Sequence, residues 1–144
     1  MEYAIPTGQH LGIDLPSRRI MAAVQGSARR EPMVSFTSVR DVAMTVASVA
    51  SRSPDTLPDV VRVAGDSLTL RRLGEYYSSL VDAPVQVTIL DVAAFSTPPL
   101  CDVGCYYQLA AGAGLLDYSA ENSNGWINDG KWQWMSVQRL LTGI

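Results

Sequence analysis

The side chains best suited to chemistry lie in the last third of the chain. Asp102 and Tyr106 are four residues apart, a spacing that puts both on one face of a helix, and Tyr107 is adjacent. Asp117, Tyr118, Glu121, Asn122, Asn124 and Trp126 follow in a loop-rich stretch. Carboxylates and phenols at the wall of an apolar pocket can act as general base and general acid without a cofactor. Tyr106 or Tyr107 would donate to a carbonyl, and Asp102 or Asp117 would accept the proton. Each residue also has a structural reading. Asp102 can cap a helix, Tyr106 can fill a core, and the 117–124 run can be a solvated loop beside three core-plugging tryptophans.

Other familiar patterns fail on inspection. Gly125-Trp126-Ile127-Asn128-Asp129-Gly130-Lys131 has phosphate-loop spacing, but Trp132 stands where a magnesium-binding hydroxyl is needed, and Trp126 and Ile127 would crowd the phosphates. Gly112-Ala113-Gly114 ends a helical stretch and follows no strand, so it reads as a helix terminus and not a dinucleotide turn. A Ser-His-Asp triad would need His10, the sole histidine, in an irregular segment. Cys101 and Cys105 have no companions for zinc and are poorly placed for a disulfide, so they read as free thiols in a reducing cytoplasm. We expect no metal.

Composition narrows the classes further. The 144 residues fit one domain and carry a formal charge of −3. The arginine pairs Arg18-Arg19, Arg29-Arg30 and Arg71-Arg72 are scattered, so no basic face for nucleic acid is expected. No apolar run is long enough to span a bilayer, and the N-terminus lacks a signal-peptide pattern. A soluble cytoplasmic protein that binds a small molecule is the expectation.

The elements that must position these residues follow from periodicity. Residues 1–17 are punctuated by Pro6, Gly8, Gly12 and Pro16 and read as irregular. Strands are expected at 18–24, 33–37, 60–64 and 85–90, with Gly65-Asp66-Ser67 as a turn. Ser38 caps a helix over 39–52 whose apolar stripe is Val39, Val42, Ala43, Val46, Ala47 and Ala50. Arg40-Asp41 reads as helix start and surface pair. Thr69 caps a helix over 70–82 with Leu70, Leu73, Tyr77 and Leu80 inward. Asp91 caps a short helix to Phe95, 102–113 is helical, and Ser136 caps a last helix over 137–142. The order is α/β, with too few strands for a complete doubly wound sheet.

Several blocks resemble fungal NmrA-like proteins, relatives of isoflavone reductase among the atypical short-chain dehydrogenases. They are Met1–Thr7, His10–Asp14, Val34–Ala43, Val61–Asp66, Gly114–Asn124 and Lys131–Trp134, the most specific being Ser35–Ala43. The resemblance is to the C-terminal, substrate-side part of that family. It implies a truncated, Rossmann-derived α/β domain with a short mixed sheet and packed helices over residues 1–144. The family's Gly-rich turn and catalytic lysine have no counterpart here. The single lysine is Lys131, and the residue four before it is Ile127, not tyrosine. No nicotinamide cofactor is therefore expected.

By the same resemblance, residues 1–15 and 92–128 correspond to substrate-closing segments. They place a pocket among His10, Phe95, Leu109, Tyr118, Glu121, Asn122 and Trp126, walled by Leu11, Ile13 and Leu100. Without the cofactor half, an edge strand and an apolar face would be left open, and a homodimer would cover them. Three readings follow. The first is a cofactor-independent isomerase, cyclase or dehydratase of fungal secondary metabolism working by acid–base catalysis. The second is a non-catalytic small-molecule-binding or regulatory module. The third is a fragment of an NAD(P)-dependent reductase.

Overall fold

Three hydroxyl residues start the three helices that the sequence assigns to caps. The computed structural model describes residues 12–24, 31–91 and 103–143. Ser38 Oγ accepts from the Asp41 N–H at 3.0 Å and begins α1, Val39–Ala50. Thr69 Oγ1 accepts from the Arg72 N–H at 3.1 Å and begins α2, Leu70–Val81. Ser136 Oγ accepts from the Arg139 N–H at 3.3 Å and begins Val137–Thr142. Each bond satisfies one of the N–H groups that a helix leaves unpaired at its start.

The chain is a mixed α/β domain. β1 (Ile13–Asp14) and β2 (Arg19–Val24) form an antiparallel hairpin, and β5 (Gln86–Asp91) joins β2 in parallel, from Arg19 opposite Gln86 to Val24 opposite Asp91. β3 (Val34–Phe36) and β4 (Asp66–Leu68) make a separate antiparallel pair. The crossover from β2 to β5 carries β3, α1, β4 and α2. Three helices follow: α3 (Val103–Gly112), α4 (Asn124–Asn128) and α5, the Val137–Thr142 helix.

Strand alternation puts Ile20 and Ala22 on the face that meets α2, where Leu73 is fully buried and Gly74 lies against Ile20 and Val87. α3 also packs on β2, and Ala23, pointing the other way, is buried too. Ile13, Ile20, Val34, Phe36, Leu68, Leu70, Leu73, Ala111 and Val137 form one core cluster. Each large side chain there contributes roughly 1.5–3 kcal/mol relative to exposure. α3 ends at Gly112, and Gly114 two residues on has a φ of +76°, in the turn that closes the helix as the sequence suggests.

Four expectations need correction. First, residues 60–64 are not a strand, and the segment read as a turn supplies β4. The backbone of 62–64 is occupied by non-strand partners. Arg62 O accepts from the Ser123 N–H, Val63 O accepts from the Thr37 hydroxyl, and the Asn124 amide holds both peptide groups of Ala64. Gly65 then packs so closely that a Cβ would lie 2.8 Å from Met135 O and 3.3 Å from Phe36 O. Second, α1 is turned over relative to its apolar stripe. Asp41, Thr45 and Ser48 are buried, while Val39, Val42 and Val46 are 49%, 45% and 61% exposed. Asp41 is fully buried and accepts from the Met135 N–H at 2.8 Å, so it is no surface pair. Third, Leu80 is exposed, because the inward line of α2 runs through Leu70, Leu73 and Gly74. Fourth, Ile13–Asp14 is a strand within a segment read as irregular. Asp91 stands at the end of β5 opposite Val24, and the helix expected from it to Phe95 lies outside the described residues.

Candidate functional site

α3 presents its tyrosines away from the core. Gln108, Ala111 and Gly112 are buried, so the helix face they define points inward. Tyr106 is close to the opposite side of the helix and is 70% exposed. Tyr107 and Leu109 lie on opposite flanks of that inward face, Tyr107 exposed and Leu109 half-buried. His10, Leu11, Phe95, Leu100, Cys101 and Asp102 lie outside the described residues.

The 114–123 connection is held by its own polar groups and by β3. Ser35 donates its N–H to Leu116 O at 2.8 Å, and its hydroxyl accepts from the Tyr118 N–H at 2.8 Å. The same hydroxyl meets Ser67 Oγ at 2.7 Å, so one buried serine ties β3 to β4 and to the loop. Asp117 is exposed, and its carboxylate accepts from the Ser119 N–H at 2.9 Å. Asn122 donates to Tyr118 O and Ser119 O and accepts from the Asn124 N–H. Glu121 is exposed. The polar side chains of this loop thus close turns, which is their usual role in such segments.

Trp126 belongs to another neighbourhood. The Arg52 guanidinium lies 4.4 Å from the centre of its ring and donates to Trp126 O at 2.9 Å and to Ile127 O at 3.3 Å. Ser48 also donates to Ile127 O, at 2.8 Å. The tryptophan and α4 are therefore fastened to the C-terminal end of α1. Among the residues named from sequence, Tyr118 and Asn122 are brought together. Tyr106 and Tyr107 stand on α3, and Trp126 stands beside α1.

The buried polar groups that sequence reasoning passed over sit beneath α1. Asp41, Thr45 and Ser48 share one helix face, and Asn128 is buried on α4. The Asn128 amide accepts from the Trp132 N–H at 2.8 Å and donates to Trp132 O. Among the described residues, Asp41 Oδ1, Thr45 Oγ1 and Trp132 Nε1 are buried with no hydrogen-bond partner. A polar stripe at 41, 45 and 48 inside an otherwise apolar helix was the available signal.

Clefts among the described residues lie elsewhere. One of about 210 Å³ separates α2 from α5, lined by Tyr76, Leu80, Leu141, Ser79, Gln138 and Thr142. Two more, of about 330 and 380 Å³, share Pro84 and Val85 and are edged by Arg18, Arg19 and Arg71. Arg71 is paired with Glu31 at 3.4 Å. The hydrogen bonds from Ser17 hold the Asp14 carboxyl below its ordinary range, and Arg19 adds to the effect. Among the described residues no three His, Cys, Asp or Glu side chains gather as metal ligands, and no helix is long and apolar enough to cross a membrane. No family model, curated protein or solved structure matches the chain.

Proposed function

We propose that the chain is a non-catalytic module that binds an apolar small molecule. The observation that carries this reading is how the candidate acid–base groups are used. Asp117 is engaged with the Ser119 backbone, and Tyr106 faces solvent. General acid–base catalysis needs donor and acceptor converging on one reacting atom within hydrogen-bond reach. The cleft between α2 and α5 has apolar walls and a few hydroxyl and amide groups, and at about 210 Å³ it is smaller than most ligand pockets and fits only a small ligand. The resemblance to NmrA-like proteins is consistent with a binding or regulatory role, and no nicotinamide cofactor is part of the reading.

Tryptophan fluorescence titrated with a panel of apolar ketones and phenols tests it, alongside the same titration with NADPH. Saturable binding of a panel member without turnover, and no saturable NADPH binding, is the expected result. Micromolar NADPH binding would overturn it.

One observation favours the acid–base reading as the second possibility. Asp102 precedes Tyr106 by one helical turn in sequence, a spacing that would set a carboxyl beside the phenol. On that reading Asp102→Asn, Tyr106→Phe, Tyr107→Phe or Asp117→Asn lowers turnover by about 10²–10⁴ with folding unchanged. Wild-type turnover in all four variants removes it.

A further inference from the structure

We infer that the outward face of α1 is the contact surface for a second copy of this chain, paired with it as antiparallel helices about a two-fold axis. This inference does not depend on the proposed function. Val39, Val42, Ala43, Val46, Ala47 and Ala50 are all exposed and lie on the side opposite Asp41, Thr45 and Ser48. A continuous apolar stripe on an exposed helix marks a contact site more often than isolated surface residues do. Val39, Val42 and Val46 also follow the three- and four-residue spacing by which helices pack in a left-handed seam.

Size and charge select the second copy. In one antiparallel register Val39 faces Ala50 of the second copy, Val42 faces Ala47 and Val46 faces Ala43. Every layer then sets a branched side chain against a small one, which lets the helices approach and interdigitate. The same register carries Arg40 to the C-terminal end of the opposing helix. Arg40 is exposed, sits in the first turn where the helix dipole disfavours a cation, and belongs to neither ion pair among the described residues. The last turn of the receiving helix has no basic residue, Arg52 just beyond it is turned to the inner side against Trp126 and Ile127, and exposed Asp55 follows. Arg40 thus meets both the negative helix end and a carboxylate, and the two-fold axis repeats the contact. The helix has 12 residues. At 1.5 Å per residue it is about 18 Å long. A contact of this length is small beside the roughly 800 Å² per partner of a standard interface, and a weak, reversible dimer is expected.

Sedimentation velocity on the 144-residue chain from about 5 to about 200 µM provides the test. A monomer–dimer equilibrium within that range is expected. Val46→Lys places two unpaired cations in the seam and weakens association by at least about 100-fold. Arg40→Glu and Asp55→Arg each weaken it by about tenfold, and the double reversal returns it to within about threefold of wild type. Circular dichroism confirms that each variant is folded. A wild-type chain that stays monomeric throughout overturns the inference and leaves the face to a different polypeptide. A dimer that survives Val46→Lys, or a double reversal that recovers nothing, overturns it equally.

Discussion

Replacing Asn124 by alanine should destabilise the fold by more than its partial exposure suggests. The Asn124 side chain accepts from the Ala64 N–H at 3.1 Å and donates to Ala64 O at 2.5 Å. It does for one buried residue what a neighbouring strand would do, and Ala64 is only 6% exposed. Alanine removes both partners and leaves a buried donor and a buried acceptor. Each orphaned group costs about 1–3 kcal/mol, so a loss of about 2–4 kcal/mol is expected after partial relaxation. Helix propensity does not contribute, because alanine is at least as good as asparagine inside α4. Urea denaturation should show a midpoint lowered by roughly 1–2 M with the slope unchanged. Asn124→Asp keeps the acceptor but sets a carboxylate oxygen against Ala64 O, and at neutral pH should cost at least as much as alanine. A loss below about 0.5 kcal/mol for the alanine variant would refute the reasoning and make the contact incidental.

Gly65→Ala would push a methyl against Met135 O and Phe36 O, both backbone atoms, and should cost about 1–3 kcal/mol in thermal or urea unfolding. Thr45→Val removes a buried hydroxyl without a partner and should be neutral or stabilising by up to about 1 kcal/mol. Ser48→Ala removes the bond to Ile127 O and should destabilise by about 1 kcal/mol, so the two changes, one turn apart, are expected to differ in sign by the same assay. Asp14 is held below its ordinary range in the folded chain, chiefly by Ser17. Its contribution is therefore present above the unfolded value and lost as pH falls through the folded one. The stability gap between wild type and Asp14→Asn should be present at neutral pH and close below about pH 4. A gap unchanged between neutral and acid solution would exclude that carboxylate as its source.

Local signals in the sequence proved the most informative. Ser38, Thr69 and Ser136 announce helix starts because capping depends only on the next three residues. The strand at 19–24 and the helix after Thr69 are marked by their own patterns. What the sequence concealed depends on distant partners. Val60–Ala64 has the composition of a buried strand, yet its backbone is claimed by Thr37, Ser123 and Asn124, whose nearness is a tertiary fact. Asp66 and Ser67 look like a turn until Ser35 and the Val137 N–H supply them with buried partners. The inward side of α1 was hidden for a related reason, since apolar periodicity identifies a stripe and not what covers it. The candidate loop at 117–126 has carboxylate, amide and aromatic groups close in sequence. Its turn bonds and the Arg52–Trp126 stack direct them to structure instead.

The inversion of α1 follows from what lies beneath it. The segments around Ile127 and Met135 are short helix and irregular chain, and their buried peptide groups need partners that no strand provides. Asp41 takes the Met135 N–H, Ser48 takes Ile127 O, and Asp66 on β4 takes the Val137 N–H. An apolar inner face would leave the Met135 N–H without Asp41 and Ile127 O with only the longer bond from Arg52, at about 1–3 kcal/mol for an orphaned group. The polar face turns inward where it makes these bonds, and helix geometry carries the Val–Ala stripe to the outside. The apolar surface is thus a consequence of how the C-terminal third is anchored, and reversing it would require rebuilding residues 123–137. This is also why association through α1 can be probed at Val46 without disturbing the fold. The side chain is 61% exposed, and the bonds that hold the helix in place are on its other side.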